Sequence, residues 1–321
     1  MNIRIGNLTS SRNRVAGNDL LRRQNDAQKI LSPSDIAQGK VSGGRLLHTT
    51  LGGVPRQVTA DDMAVFKTKA KALGTRYKGG ATIDDIVRAS RPEDMQRARE
   101  IKWSTPARLR NGTIDFIASA SPQSPVTRHY VTVVLADFGA ALARAATPLQ
   151  AAAWLAKEGH IRWDCTCGRH TFWYRYICTS IGANAARPET GFPRVRNPHL
   201  TGLACKHTLR TVIELRDSML VRKQVAKMIE ADRARLDSPG RTKLQTIRVT
   251  QQDADRITAG RVRRIAVKSE QRGAKLPPPP ASASDIQTAL NAFAGKRDMN
   301  STAITRALQT LLAAHQKAAP A

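Results

Sequence analysis

Acidic and aromatic residues are both scarce in this chain. Twenty-five Asp and Glu stand against 52 Lys and Arg among 321 residues, a formal net charge of +27. A surplus of that size disfavours a free metabolic enzyme with a neutral surface and favours a polyanionic neighbour, either nucleic acid or an acidic protein face. With aromatics at 4% and hydrophobic residues at 41%, one large core filling every position is not expected, and parts of the chain should be extended or ordered only by a partner. Long apolar runs are missing too. The most apolar stretch, roughly 140–156, is interrupted by Arg144 and Pro148 and is too short to span a bilayer. The N-terminal MNIRIGNLTSSRNR has no apolar core of the kind that makes a signal peptide. A soluble protein of intracellular origin is therefore expected. Cysteine is almost absent: Cys165, Cys167, Cys178 and Cys205 share one segment and the rest of the chain has none. A secreted disulfide scaffold would scatter its cysteines, so the clustering argues for a reducing compartment and a metal site.

The pattern along the chain divides it into five stretches. Residues 1–57 are polar, basic and rich in Gly, Ser and Asn with no sustained apolar period. They read as a basic extended N-terminal arm without a core of its own, either a solvated tail or a strap onto a larger assembly. Residues 58–110 read as a helical segment. Thr59 with Asp62 resembles a capping pair, Met63, Phe66, Ala70 and Leu73 follow at helical spacing, and Gly74 is a natural stop. Thr82 with Asp85 marks a second start, and Pro92 opens a third helix running toward Trp103. Residues 111–215 turn to strands. The β-rich runs 113–118 and 130–135 predict a hairpin, Thr147 and Pro148 open an Ala/Leu/Trp helix that Gly159 closes, and 160–164 form a strand leading into the first cysteine pair. Residues 216–275 predict a basic helical region, the stripe from Leu209 to Ile229 running into it, with a strandlike segment near 246–250. Residues 276–321 predict a stiff spacer at Pro277–Pro280 and a C-terminal helical hairpin, its helices starting at Ser284 and Ser301, that suits docking.

The chemistry concentrates in Cys165-Thr166-Cys167-Gly168-Arg169-His170 and, later, Cys205-Lys206-His207. Structural zinc takes four soft or borderline ligands in a tetrahedron. Two cysteines one residue apart at a strand end project to the same side, and Cys205 and His207 can close the site from the head of a helix anchored by Leu209, Val212 and Ile213. Helix N-terminal amides stabilise thiolates. Unligated buried thiols are the competing reading, and Cys178 alone reads that way, alternating with Tyr174 and Tyr176 on one strand face. His170 and His199 read as surface or hydrogen-bonded histidines. Trp163, Phe172, Trp173, Tyr174, Tyr176 and Phe192, interleaved with Arg162, Arg169, Arg175, Arg194 and Arg196, either form a stacking platform for single-stranded nucleic acid or supply the small core such a module needs beside its metal. Some of the arginines can face phosphate in either case.

Cys-x-Cys, a spacer, then Cys-x-His heading a helix resembles the SWIM-type zinc finger, residue by residue at Cys165, Cys167, Cys205 and His207. The resemblance covers about 50 residues and implies a Zn2+ ion held by those four. Thirty-seven residues separate Cys167 from Cys205, longer than the usual spacer. A hairpin at 172–181 and a loop at 187–202 would occupy the difference, and Cys178, His170 and His199 inside it leave the ligand set open. More loosely, the segment 165–176 with 191–198 and 205–207 resembles SWIM-bearing structural proteins of tailed bacteriophages. The fold expected is α+β: a small antiparallel sheet with a zinc-bound SWIM-like finger, flanked by helices, with extended basic arms.

Catalytic zinc keeps an open position beside a Glu or Asp. Here four ligands close the site, Asp164 lies on the other strand face and Glu189 stands alone. The metalloprotease, deaminase, phosphate-loop and nucleophile-elbow motifs are absent from the sequence. The expectation is a non-enzymatic structural protein of a nucleic-acid-containing assembly, most directly a tailed-phage head or head-tail component located in the virion. Its partners would be other subunits and nucleic acid, with no membrane and no small-molecule substrate. The alternative is a free DNA-binding regulator or transposition-associated SWIM protein inside the cell.

Overall fold

The computed structural model describes residues 30–39, 47–77, 80–122, 124, 126–144, 146–238 and 244–259. These lie in the first of two compact units, residues 1–262; the second, residues 263–321, is outside the described residues, as are the Pro-rich spacer and the helices expected from Ser284 and Ser301.

Four helices start with the same local device. In α1 (Pro33–Gln38) the Ser32 hydroxyl accepts from the Asp35 amide while the Asp35 carboxylate accepts from the Ser32 amide. Thr59 with Asp62, Thr82 with Asp85 and Thr147 with Gln150 repeat it at the heads of α2 (Ala60–Arg76), α3 (Ile83–Ala89) and the later Pro148–Lys157 helix. Each reciprocal pair satisfies two amides that the first turn would otherwise leave without partners. Gly74 does not stop α2, which continues to Arg76 and ends at Tyr77. Pro92 takes the first position of α4 (Pro92–Arg99), where its missing N–H costs nothing.

Between α1 and α2, β1 (His48–Thr49) pairs with β2 (Arg56–Gln57). Residues 30–39 and 47–57 therefore depart from the coreless arm. Leu31, Ile36, Leu47 and Thr49 are buried, the first three in the main core, and Thr49 and Thr50 donate hydroxyl hydrogen bonds to the Arg194 and Val195 carbonyls. Anchors this widely spaced make no period, which is why the stretch reads as an arm.

Among the described residues the main sheet has six strands, in the order β3 (Ala81–Thr82), β7 (His160–Cys165), β6 (Arg128–Leu135), β5 (Thr113–Ser119), β4 (Ser104–Arg110) and β8 (Ile247–Arg248), every pair antiparallel. β4 (Ser104–Arg110), β5 (Thr113–Ser119) and β6 (Arg128–Leu135) form a meander. The hairpin expected from β5 and β6 is present, in register from Thr113↔Val134 to Ser119↔Arg128. β4 falls where the sequence reading placed only helix. Asn111 (φ 45°) and Gly112 (φ 72°) both take positive φ between β4 and β5, the two-residue Asn-Gly turn whose twist matches a hairpin. β3 (Ala81–Thr82) and β8 (Ile247–Arg248) are two-residue edges, and β7 (His160–Cys165) lies between β3 and β6. Two helices, α5 (Phe138–Ala143) and α6 (Pro148–Lys157), bridge β6 to β7.

Strand alternation divides the sheet's side chains. Leu109, Ile114, Phe116, Val131, Val133, Ile161, Trp163 and Cys165 join the main core. Ala107, Ile117 and Tyr130 make a small separate cluster with Trp103. After the cysteine segment come α8 (Lys206–Asp217), α9 (Met219–Leu236) and α10 (Gln251–Ala259). Every residue of α8 from His207 to Leu215 is buried, so this helix runs through the interior.

Candidate metal centre

β7 carries Cys165 to the sheet end beside β6, where Val131 pairs with Cys165. The Thr166 amide then donates to the Tyr130 carbonyl and the Tyr130 amide to the Thr166 hydroxyl. This clamps the residue between the two cysteines and aims both thiols off the strand end. Cys205 sits at the N-cap of α8 in extended backbone, and His207 occupies the first turn. No side chain caps that helix start.

The ligand atoms of Cys165, Cys167, Cys205 and His207 all lie within 4.8 Å of one another. Tetrahedral Zn–S bonds of about 2.3 Å place sulfurs roughly 3.7 Å apart, so this convergence fits one ion. The four residues are buried, none more than 5% exposed. Neither ring nitrogen of His207 has a hydrogen-bond partner among the described residues, and a fully buried polar atom without one is costly. A cation held by the cluster would account for one of those nitrogens. The Cys167 sulfur accepts from the His170 amide at 3.3 Å, and the Cys205 sulfur meets the Thr208 hydroxyl at 3.4 Å. Such donors stabilise thiolates.

The electrostatics without an ion are those of a crowded thiol cluster. Burial pushes the Cys165 thiol well up, reinforced by Cys167 and Cys205. Cys167 receives a hydrogen bond from Cys165 but is still raised by Cys205 and burial. Burial opposes ionisation of Cys205, yet Cys165, Cys167 and His207 together hold it well below the usual thiol range. A divalent cation would favour ionising all three thiols.

The other candidates fall outside the cluster. Cys178 is buried with its sulfur 3.8 Å from the Leu203 carbonyl, and burial raises its thiol. His170 is fully buried, its Nε2 3.2 Å from Asp164, whereas His199 is exposed. The expected hairpin at 172–181 is a helix: a π-helical turn, His170–Tyr174, runs into α7 (Arg175–Ser180). Burial of His170, Thr171, Tyr174, Ile177 and Cys178 follows a helical period, and the strand alternation assigned to Cys178 was a misreading of that stripe. The loop expected at 187–202 is irregular as anticipated.

The aromatic platform is mostly core. Trp163, Tyr174, Tyr176 and Phe192 are buried, and only Phe172, at 44%, is well exposed. Of the arginines proposed for phosphate, Arg169 grips Asp94 with two hydrogen bonds, 2.6 and 2.8 Å, and stacks over Trp173. Arg175 pairs with Asp164 at 3.1 Å. Both are committed to buried carboxylates. Arg194 is half-buried, and burial lowers its pKa. Arg162 and Arg196 are exposed.

Two residues beside the centre escaped the sequence reading. Asp94 is fully buried and also accepts from the Tyr174 hydroxyl, tying α4 to the insert. In sequence it looks like one more first-turn acid. His129, on β6, stacks its ring on His207 with centroids 4.3 Å apart, a contact no spacing rule reveals. Comparison with known proteins finds no matching family model, curated protein or solved structure.

Proposed function

We propose that the chain is a non-enzymatic, zinc-stabilised structural protein of a nucleic-acid-containing assembly, with the SWIM-like finger at Cys165, Cys167, Cys205 and His207 as its organising centre. The observation that carries this reading is the convergence of four buried ligand atoms, all within 4.8 Å, from a strand end and a helix head. Three thiolates and an imidazole are the donor set of structural zinc, and four protein ligands leave no position for substrate. When bound, the ion supplies a cross-link between β7 and α8. This chain's residues do the rest: Thr166 and Tyr130 fix the strand end, and the amides of His170 and Thr208's hydroxyl lower the charge on sulfur.

The net charge of +27 supports a nucleic-acid setting. Exposed Arg162 and Arg196, with Lys67 and Lys71 one turn apart on α2 and Lys223 and Lys227 on α9, suit phosphate contacts that read no sequence. A tailed-phage virion, head or head-tail, is the assembly this reading favours. The test joins metal analysis of the purified full chain to DNA binding as a function of salt. One zinc per chain, a steep salt slope without sequence preference, and recovery in a large DNA-containing particle are expected. A metal-free chain would overturn the finger. Sequence-selective binding to duplex DNA by a free monomer would overturn the structural role in favour of a regulator.

A further inference from the structure

A metal-bound histidine ordinarily donates its second ring N–H to a carboxylate, carbonyl or water, which fixes the ring for ligation. Among the described residues no carboxylate or carbonyl supplies His207 with that partner. One of its nitrogens belongs to the converging ligand set, and neither has a hydrogen-bond partner among the described residues. What the ring does have is His129, its centroid 4.3 Å away and its plane tilted by 44°. His129 is well placed to act as a brace. It stands on β6 at the register position opposite Ala118, within the same strand whose Tyr130 clamps Thr166 and whose Val131 pairs with Cys165. The strand that fixes the cysteine end of the site therefore also carries the ring that rests on the histidine end. Burial differs across the stack: His207 is buried and His129 is half-buried, so the outer ring covers a face of the ligand that would otherwise meet water.

We propose that His129 is a positioning residue for the metal centre, holding the His207 imidazole in its ligating orientation by ring-on-ring packing, and slowing loss of the ion by covering that ring. This rests on the metal reading above. The stack, rather than any nitrogen of His129, is the active element, so a plain aromatic ring should replace it.

The experiment uses the full chain loaded with Zn2+ or Co2+. Zinc release to a chromogenic chelator and the visible d–d spectrum of the Co2+ form are measured for the unaltered protein, His129→Leu and His129→Phe. Leu keeps apolar bulk without a ring, and Phe keeps the ring without nitrogens. Aromatic pairing of ordinary strength corresponds to about three- to tenfold in an equilibrium or rate. His129→Leu should release zinc faster by about that factor and shift or broaden the Co2+ bands, while His129→Phe stays within about twofold of the unaltered protein on both readouts. Release from His129→Leu at the unaltered rate would overturn the proposal, as would a His129→Phe protein as leaky as His129→Leu, which would place the role on a nitrogen. Should His129→Leu not fold, His129→Phe against His129→Ala gives the same decision. Failure of the unaltered chain to take up either metal is a different result: it removes the centre itself, and the brace with it.

Discussion

Helix starts differ sharply between the reciprocally capped helices and those that meet at the candidate metal centre. α1, α2, α3 and α6 each begin with a reciprocal cap made by residues three apart. α7, its preceding π-helical turn and α8 begin with no side-chain cap hydrogen bond at all. Those starts are fixed from a distance: α8 by Cys205 and His207 meeting Cys165 and Cys167, and the insert by Arg169 and Tyr174 reaching Asp94. Locally capped helices carry their own starting signal, whereas the central ones depend on contacts between residues 38 to 80 positions apart. Losing one local cap should trim one helix end. Losing one long-range tie should release a whole region.

The largest break in that contrast is Cys205→Ser. It removes a candidate ligand at the head of α8 while leaving a residue that can cap the helix, and structural zinc contributes folding free energy outright. Metal content should fall to zero, and the thermal midpoint by roughly 10 °C or more, with hydrogen-exchange protection lost first across 160–217. Loss of metal without loss of protection in α8 would mean that its packing suffices without the tie.

Next comes Asp94→Asn. Asp94 is fully buried beneath a bidentate Arg169 and the Tyr174 hydroxyl, and breaking a buried pair from one side costs about 3 kcal/mol or more. Urea unfolding should show that loss with the metal still bound. The double variant Asp94→Asn with Arg169→Met should cost less than the sum of its parts, because no uncompensated charge remains. Strict additivity would show that the pair is not coupled.

Gly112→Ala tests the local side at a turn. Gly112 holds φ at 72°, and an added Cβ would sit 2.8 Å from the Phe138 ring. Strain and crowding together should cost about 2 kcal/mol, read as a lower urea midpoint with an unchanged zinc stoichiometry.

The same local-versus-distant division governs what the sequence made legible. The capping pairs at Thr59 and Thr82 and the Thr147-Pro148 start are short-range signals, and their helices lie where they predict. The strand runs at 113–118 and 130–135 are equally local. The four clustered side chains were legible because Cys-x-Cys and Cys-x-His are dense signals even with 37 residues between them. The insert was misread because Phe172, Tyr174 and Tyr176 alternate in sequence while the buried set, Tyr174, Ile177 and Cys178, is helical. β4 was missed because its strand hides Pro106 and a bulge beside it, though Asn111-Gly112 marked the turn. Arg169 and Arg175 looked available for phosphate because a charge gives no sign in sequence of the carboxylate it will meet. Asp94 and His129 act only through folded proximity.

The smallest effect belongs to the caps, and Thr59→Ala measures it. Removing the hydroxyl that accepts from the Asp62 amide should cost about 1 kcal/mol and leave the metal in place. Asp62 adds a pH signature to the same helix start. Its carboxylate takes two hydrogen bonds from Arg56, at 2.6 and 2.7 Å, and one from the Thr59 amide at 2.9 Å. Above all, Arg56 holds Asp62 down to about 2, against burial, with Thr59 assisting. A carboxylate depressed on folding contributes stability that is present above its unfolded value near 4 and disappears as pH falls toward 2. Asp62→Asn should therefore flatten the stability profile between pH 4 and pH 2 while lowering it at neutral pH. Thr59→Ala should lower the profile but keep most of its slope, since Arg56 remains. An Asp62→Asn protein with the unaltered slope would mean that another carboxylate carries the acid sensitivity, and that the head of α2 is less self-contained than its capping geometry implies.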